Sequence, residues 1–269
     1  MAQYSMDDLL TLMARLRDPE DGCPWDIKQT FKSVVPHTLE EVYELIDTIE
    51  NNDFEHLKEE LGDVLFQVVF YAQLGNEQGL FGLDDVVDAL VAKLLRRHPH
   101  VFPDGSLASR ATEQTIAEQQ VKANWERIKQ QERDDRAKNG VFDDIALAIP
   151  ALSRSLKIQK RAAKEGFDWP DAAAVVPKVA EELSEVVEAV EHDDADAVED
   201  ELGDLLFAVT NLARKLNVDP EVALRRANNK FSRRFEAMGN MTKKQGYNLS
   251  DLDLSEMNLL WNRVKKEEK

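Results

Sequence analysis

The chain has a single cysteine, Cys23, among 269 residues. A disulfide framework is therefore excluded, and a lone thiol suits a reducing compartment. No apolar run approaches the length that spans a bilayer. Met1 to Leu10 carries two aspartates and no apolar core of signal length, so a cytoplasmic location is expected. Positive charge is scarce: 34 Lys and Arg face 52 Asp and Glu, a net charge of −18. That balance argues against binding to a nucleic-acid backbone or an anionic membrane. It leaves nucleotides open, because phosphates can be approached through bound cations. Glycine and proline are few, and no segment sustains period-two alternation, so an all-α protein without a sheet is expected.

Acid, by contrast, is abundant and arranged. Glu40-Glu41-Val42-Tyr43-Glu44 is followed by Glu60-Leu61-Gly62-Asp63-Val64-Leu65-Phe66. Glu181-Glu182-Leu183-Ser184-Glu185 is followed by Glu201-Leu202-Gly203-Asp204-Leu205-Leu206-Phe207. Every acid of the frame recurs at one offset, 141 residues (182 minus 41). In a chain this acidic one such frame arises by chance about 0.3 times, so a single copy decides nothing. Two copies in register mark an internal duplication.

Spacing then becomes geometry. Carboxylates at i and i+3 share one helix face. A short connection makes consecutive helices antiparallel neighbours. Glu41, Glu44, Glu60 and Asp63 can thus converge along one seam, and Glu182, Glu185, Glu201 and Asp204 along another. Oxygen ligands without thiolate or imidazole suit a hard cation, Mg²⁺ or Mn²⁺. On the first pair the apolar stripe Leu57, Leu61, Val64, Val68 and Ala72 is expected to face inward, with Glu60 and Asp63 at its border.

Two tandem domains are expected, residues 1–132 and 151–269, joined by a linker at 133–150 with Asp-Asp pairs and Gly140. Residues 103–117 read as a polar, mobile stretch and 121–138 as a charged helix. Basic elements repeat as well. Lys93, Arg96 and Arg97 recur as Lys230, Arg233 and Arg234, and Trp125 and Lys129 as Trp261 and Lys265. Lys and Arg can neutralise phosphate charge that a metal leaves over. A Trp one turn from a Lys offers a stacking face for a base beside a phosphate contact.

These motifs, with the Gly22-Cys23-Pro24-Trp25-Asp26 and Gly166-Phe167-Asp168-Trp169 corners, resemble the MazG family of all-α nucleotide pyrophosphohydrolases over nearly the whole chain. The resemblance implies four-helix-bundle units in a homodimer. It also implies Mg²⁺-dependent hydrolysis of nucleoside triphosphates to monophosphate and pyrophosphate. By motif position it makes Glu182, Glu185, Glu201 and Asp204 metal ligands, with Glu182 and Glu185 catalytic. Lys178, Glu181, Lys230, Arg233, Arg234, Trp261 and Lys265 become substrate contacts. Whether the α- or β-phosphorus is attacked stays open.

The halves differ in cations. Lys178 is His37 in the first half, and Lys160 and Lys164 correspond to Leu16 and Glu20. A polyanion would find more positive charge in the second half. The first is then either a weaker site or a structural, dimerising copy. Two rivals remain to be weighed. A di-iron bundle wants Glu-x-x-His on its helices, and here the i+3 residue is always Glu or Asp. A non-enzymatic helical regulator with an acidic seam has no need for the basic and Trp elements to recur beside the acids.

Overall fold

A computed structural model describes residues 4–110, 117–134 and 140–268. These residues contain ten α-helices and no strand. The chain divides into two compact units, Met1–Gln131 and Glu132–Lys269. Of the expected mobile stretch, residues 111–116 lie outside the described residues, as do 135–138 of the expected charged helix.

The first unit holds α1 (Met6–Leu16), α2 (Phe31–Glu50), α3 (Leu57–Glu77), α4 (Leu83–Arg97) and most of α5 (Glu118–Asp134), whose last residues cross the boundary. Its helix starts follow local chemistry. Ser5 and Asp8 form a reciprocal capping box on α1, and Thr30 and Ser33 do the same on α2. Asn52 takes a left-handed conformation, φ 57°, which reverses the chain between α2 and α3. The core gathers Met13, Val34, Val69, Phe70 and Leu74, with Leu9, Phe31 and Tyr71 packed around it. Arg17 locks the corner after α1: it donates to Glu77 and to the carbonyls of Asp26 and Gln29, and lies over the Phe70 ring.

The second unit repeats this plan with α6 (Ala151–Lys164), α7 (Ala172–Glu191), α8 (Ala195–Lys215), α9 (Pro220–Lys244) and α10 (Leu254–Glu267). Asp193, φ 54°, reverses the chain between α7 and α8, 141 residues after Asn52. Pro36 and Pro177 sit inside α2 and α7 at the same register. Each removes a backbone donor from beyond the first turn, a cost that both hairpins carry at the same place. The α7–α8 hairpin is the most extensive packing in the unit, with α6 against α8 and α9, and α10 against α9. Val141 and Asp144, expected within the linker, are tied to Arg161 of α6, and Ile145 is buried.

The expected inward stripe on α3 holds only in part: Ala72 is buried and Leu57 and Val64 are half-buried. Leu61 is 52% and Val68 40% exposed, while Val69, Phe70 and Leu74 are buried. The helix is apolar on two faces, and α1 and α2 cover only one of them. The second unit likewise leaves Leu183, Val187, Leu202, Leu206 and Val209 exposed along α7 and α8. Helix periodicity gives the faces but not which of two apolar faces the unit itself buries.

Candidate active site

α7 and α8 run side by side, so acids spaced by three residues on each meet across the hairpin. Glu182, Glu201 and Asp204 can each place one oxygen so that all lie within 4.8 Å of one another. Glu182 is the inner member, 5% exposed, while Asp204 is open to solvent. The fourth expected acid, Glu185, stands next to this trio. Its carboxyl is pushed above the usual glutamate range, first by desolvation, then by the charge and side-chain hydrogen bonding of Glu182, and by the charge of Glu201. Lys178, one turn before Glu182, sets its Nζ 2.7 Å from Glu182 and 2.8 Å from Glu181. Those two partners hold its ammonium well above the ordinary lysine range.

The first unit forms the matching trio from Glu41, Glu60 and Asp63. Glu41 is pushed up by desolvation and then by Asp63 and Glu44; Glu60 is pushed up by desolvation and then by Glu44. Among the described residues no lysine forms an ion pair with these acids. His37 lies 3.8 Å from Glu40, outside the trio, and its ring meets Trp25 edge-on at 5.4 Å. A cleft of 680 Å³ opens beside Glu44 and Glu60, walled by Glu40, Asp47 and Asp53, with His56 turned onto Asp53 at 2.6 Å. It is roomier than the clefts of 360 Å³ beside Phe207 and 550 Å³ beside Phe235 in the second unit, yet its wall carries no Lys or Arg. Room alone does not suit it to a polyanion.

Both trios fit a hard divalent cation: they offer oxygen donors only, and desolvation followed by the charge of neighbouring acids raises Glu41, Glu60 and, beside the second trio, Glu185, a repulsion that a cation would relieve.

The expected substrate contacts fall into two groups. Lys178 and Glu181 lie with the acids. Arg233, Arg234 and Trp261 form a second cluster on α9 and α10, and no ion pair among the described residues joins it to the first. The Arg234 guanidinium sits 5.6 Å from the Trp261 ring, and Phe231 packs on the same indole at 5.2 Å. One flank expected to receive a base is therefore already taken by protein. Lys230 and Lys265 are exposed on the same two helices. Two features escaped the sequence reading. Glu268 reaches both Arg233 and Arg234. Asp168 of the Phe-Asp-Trp corner binds Arg214 and Lys215. A W-x-x-x-K-x-x-E spacing was the available signal for the first; nothing local announced the second.

With this geometry in view, comparison with known proteins is decisive. The model of the MazG nucleotide pyrophosphohydrolase domain matches residues 29–102 and 171–238, one match on each acidic hairpin. The chain belongs to the MazG family. It is 48% identical over 265 residues to the nucleoside triphosphate pyrophosphohydrolase of Escherichia coli, covering 98% of each chain. It is 44% identical to the Thermotoga maritima protein named nucleoside triphosphate pyrophosphohydrolase/pyrophosphatase MazG, covering 96% of this chain and 95% of that one. No helix among the described residues is long and apolar enough to cross a membrane.

Proposed function

We propose that this chain hydrolyses nucleoside triphosphates to the monophosphate and pyrophosphate, with its main site in the second unit and Mg²⁺ (Mn²⁺ as a substitute) held by Glu182, Glu185, Glu201 and Asp204. The observation that carries the reading is the Glu182–Glu201–Asp204 trio with Lys178 beside it, inside a family-matched hairpin. Bound there, the divalent ion supplies charge neutralisation and acidifies water. The chain's own groups do the rest. Glu185, its carboxyl raised toward neutrality, is suited to accept a proton from an attacking water. Lys178 supplies a cation for a phosphate oxygen once the metal competes for Glu182, and Arg233, Arg234, Lys230 and Lys265 neutralise the distal phosphates.

The same reading makes the protein a homodimer acting on a soluble nucleotide pool. Apolar rows such as Leu183–Val187 and Leu202–Leu206 stand exposed, and a second copy is the natural cover for them.

Chromatography of ATP and dUTP digests tests the chemistry. Monophosphate and pyrophosphate as first products, abolished by EDTA, are expected. Diphosphate and orthophosphate as first products would overturn the reading.

A further inference from the structure

We propose that Glu268 is an internal anion that occupies the Arg233–Arg234 pair in the unliganded protein and is displaced by the substrate's phosphates. This rests on reading those arginines as phosphate contacts. Its two carboxylate oxygens are divided between them: Oε2 accepts from Arg234 Nε at 2.7 Å, and Oε1 accepts from Arg233 Nε at 3.1 Å. Arg234 is fixed between this carboxylate and the Trp261 ring, its side chain only 17% exposed. A planar carboxylate bridging two guanidiniums reproduces the donor pattern a phosphate would use.

The position is unfavourable for an acid on its own helix. Glu268 is the C-cap of α10, where the helix dipole disfavours negative charge. The arginines hold it there, and they keep its carboxyl below the usual glutamate range.

The duplication adds a second, independent observation. Trp261, Lys265 and Glu268 stand 136 residues after Trp125, Lys129 and Glu132, so the acid recurs in the same W-x-x-x-K-x-x-E register beside a K-x-x-R-R element. A mere helix-end acid has no reason to keep that place twice.

The consequence is selectivity by charge. A triphosphate brings enough negative charge to replace one carboxylate; a monophosphate product brings much less. Glu268 thereby favours entry of substrate and departure of product.

The test uses the full chain with Glu268→Gln, which keeps shape and removes charge, and Arg234→Gln, with Glu267→Gln as a neighbour-acid control. The affinity of α,β-methylene-ATP is measured by calorimetry, and KM and kcat by pyrophosphate release. If the arginine pair is free in only a tenth to a third of molecules, Glu268→Gln tightens analogue binding about 3- to 10-fold and lowers KM alike. kcat stays within about two-fold, product inhibition by AMP strengthens, and Glu267→Gln changes none of these. Arg234→Gln weakens binding. If Arg234→Gln weakens binding while Glu268→Gln leaves it unchanged or weakens it too, the carboxylate only positions the arginines and the inference fails. If Arg234→Gln has no effect, the phosphate reading beneath it fails first. Equal melting temperatures of the variants exclude misfolding as the cause.

Discussion

Lys178 Nζ lies 2.7 Å from a carboxylate oxygen of Glu182, the one deeply buried acid of the trio, whereas its counterpart His37 is 3.8 Å from the exposed Glu40. The ammonium therefore stands as counter-ion to Glu182 when no metal is bound. Lys178→Met leaves that buried carboxylate without it. The expected outcome is a lower melting temperature in EDTA and a smaller deficit in millimolar Mg²⁺. His37→Met, without a buried acid to orphan, is expected to change neither. Differential scanning fluorimetry of the two variants in both buffers checks this.

Metal should also stabilise the wild type. An ion at 100 times its dissociation constant, binding only the folded state, adds about 2.7 kcal/mol. The metal-free protein should depend on pH in the opposite sense to most acid-rich chains. Glu41, Glu60 and Glu185 have folded-state pKa values raised above their unfolded ones. Between those values the native state binds more protons than the unfolded one, so stability falls as pH rises. In EDTA, urea midpoints are expected to rise as pH drops from neutrality toward the ordinary glutamate pKa, and Mg²⁺ should flatten that slope. A slope unaffected by Mg²⁺ would show that the acids do not share an ion.

At lower pH the Asp168 corner dominates. Its carboxyl is held at about 2, first by Arg214 and then by Lys215. A depressed folded pKa contributes stability that is present above the unfolded value near 4 and lost as pH falls toward 2. Wild type should therefore lose urea resistance across that window, and Asp168→Asn should lose less there while starting lower at pH 5. Equilibrium unfolding followed by helical circular dichroism at pH 5, 4, 3 and 2 checks both.

Much of this was legible in the residues because helices report on themselves. The 141-residue offset marked both hairpins, and six of the eight expected acids come together in the two trios, while Glu44 and Glu185 fall outside them. Burial was less legible. Leu61 and Val68 read as core because α3 is apolar on two faces, and only the packing of α1 and α2 decides between them. Long-range partners were least legible: Asp168 meets Arg214 across 46 residues, and Glu268 meets Arg234 across 34. No local period encodes such pairings.

The two acidic hairpins keep the same acids, so what separates them is the charge around a triphosphate. Pyrophosphate release by Glu185→Ala and Glu44→Ala, each checked for native helicity, measures that difference most directly. Loss of a ligand and proton acceptor should lower kcat of Glu185→Ala by about 10²-fold or more, with Glu44→Ala within a few-fold of wild type. Abolished activity in Glu44→Ala beside near-normal turnover in Glu185→Ala would contradict the placement of the active site in the second unit.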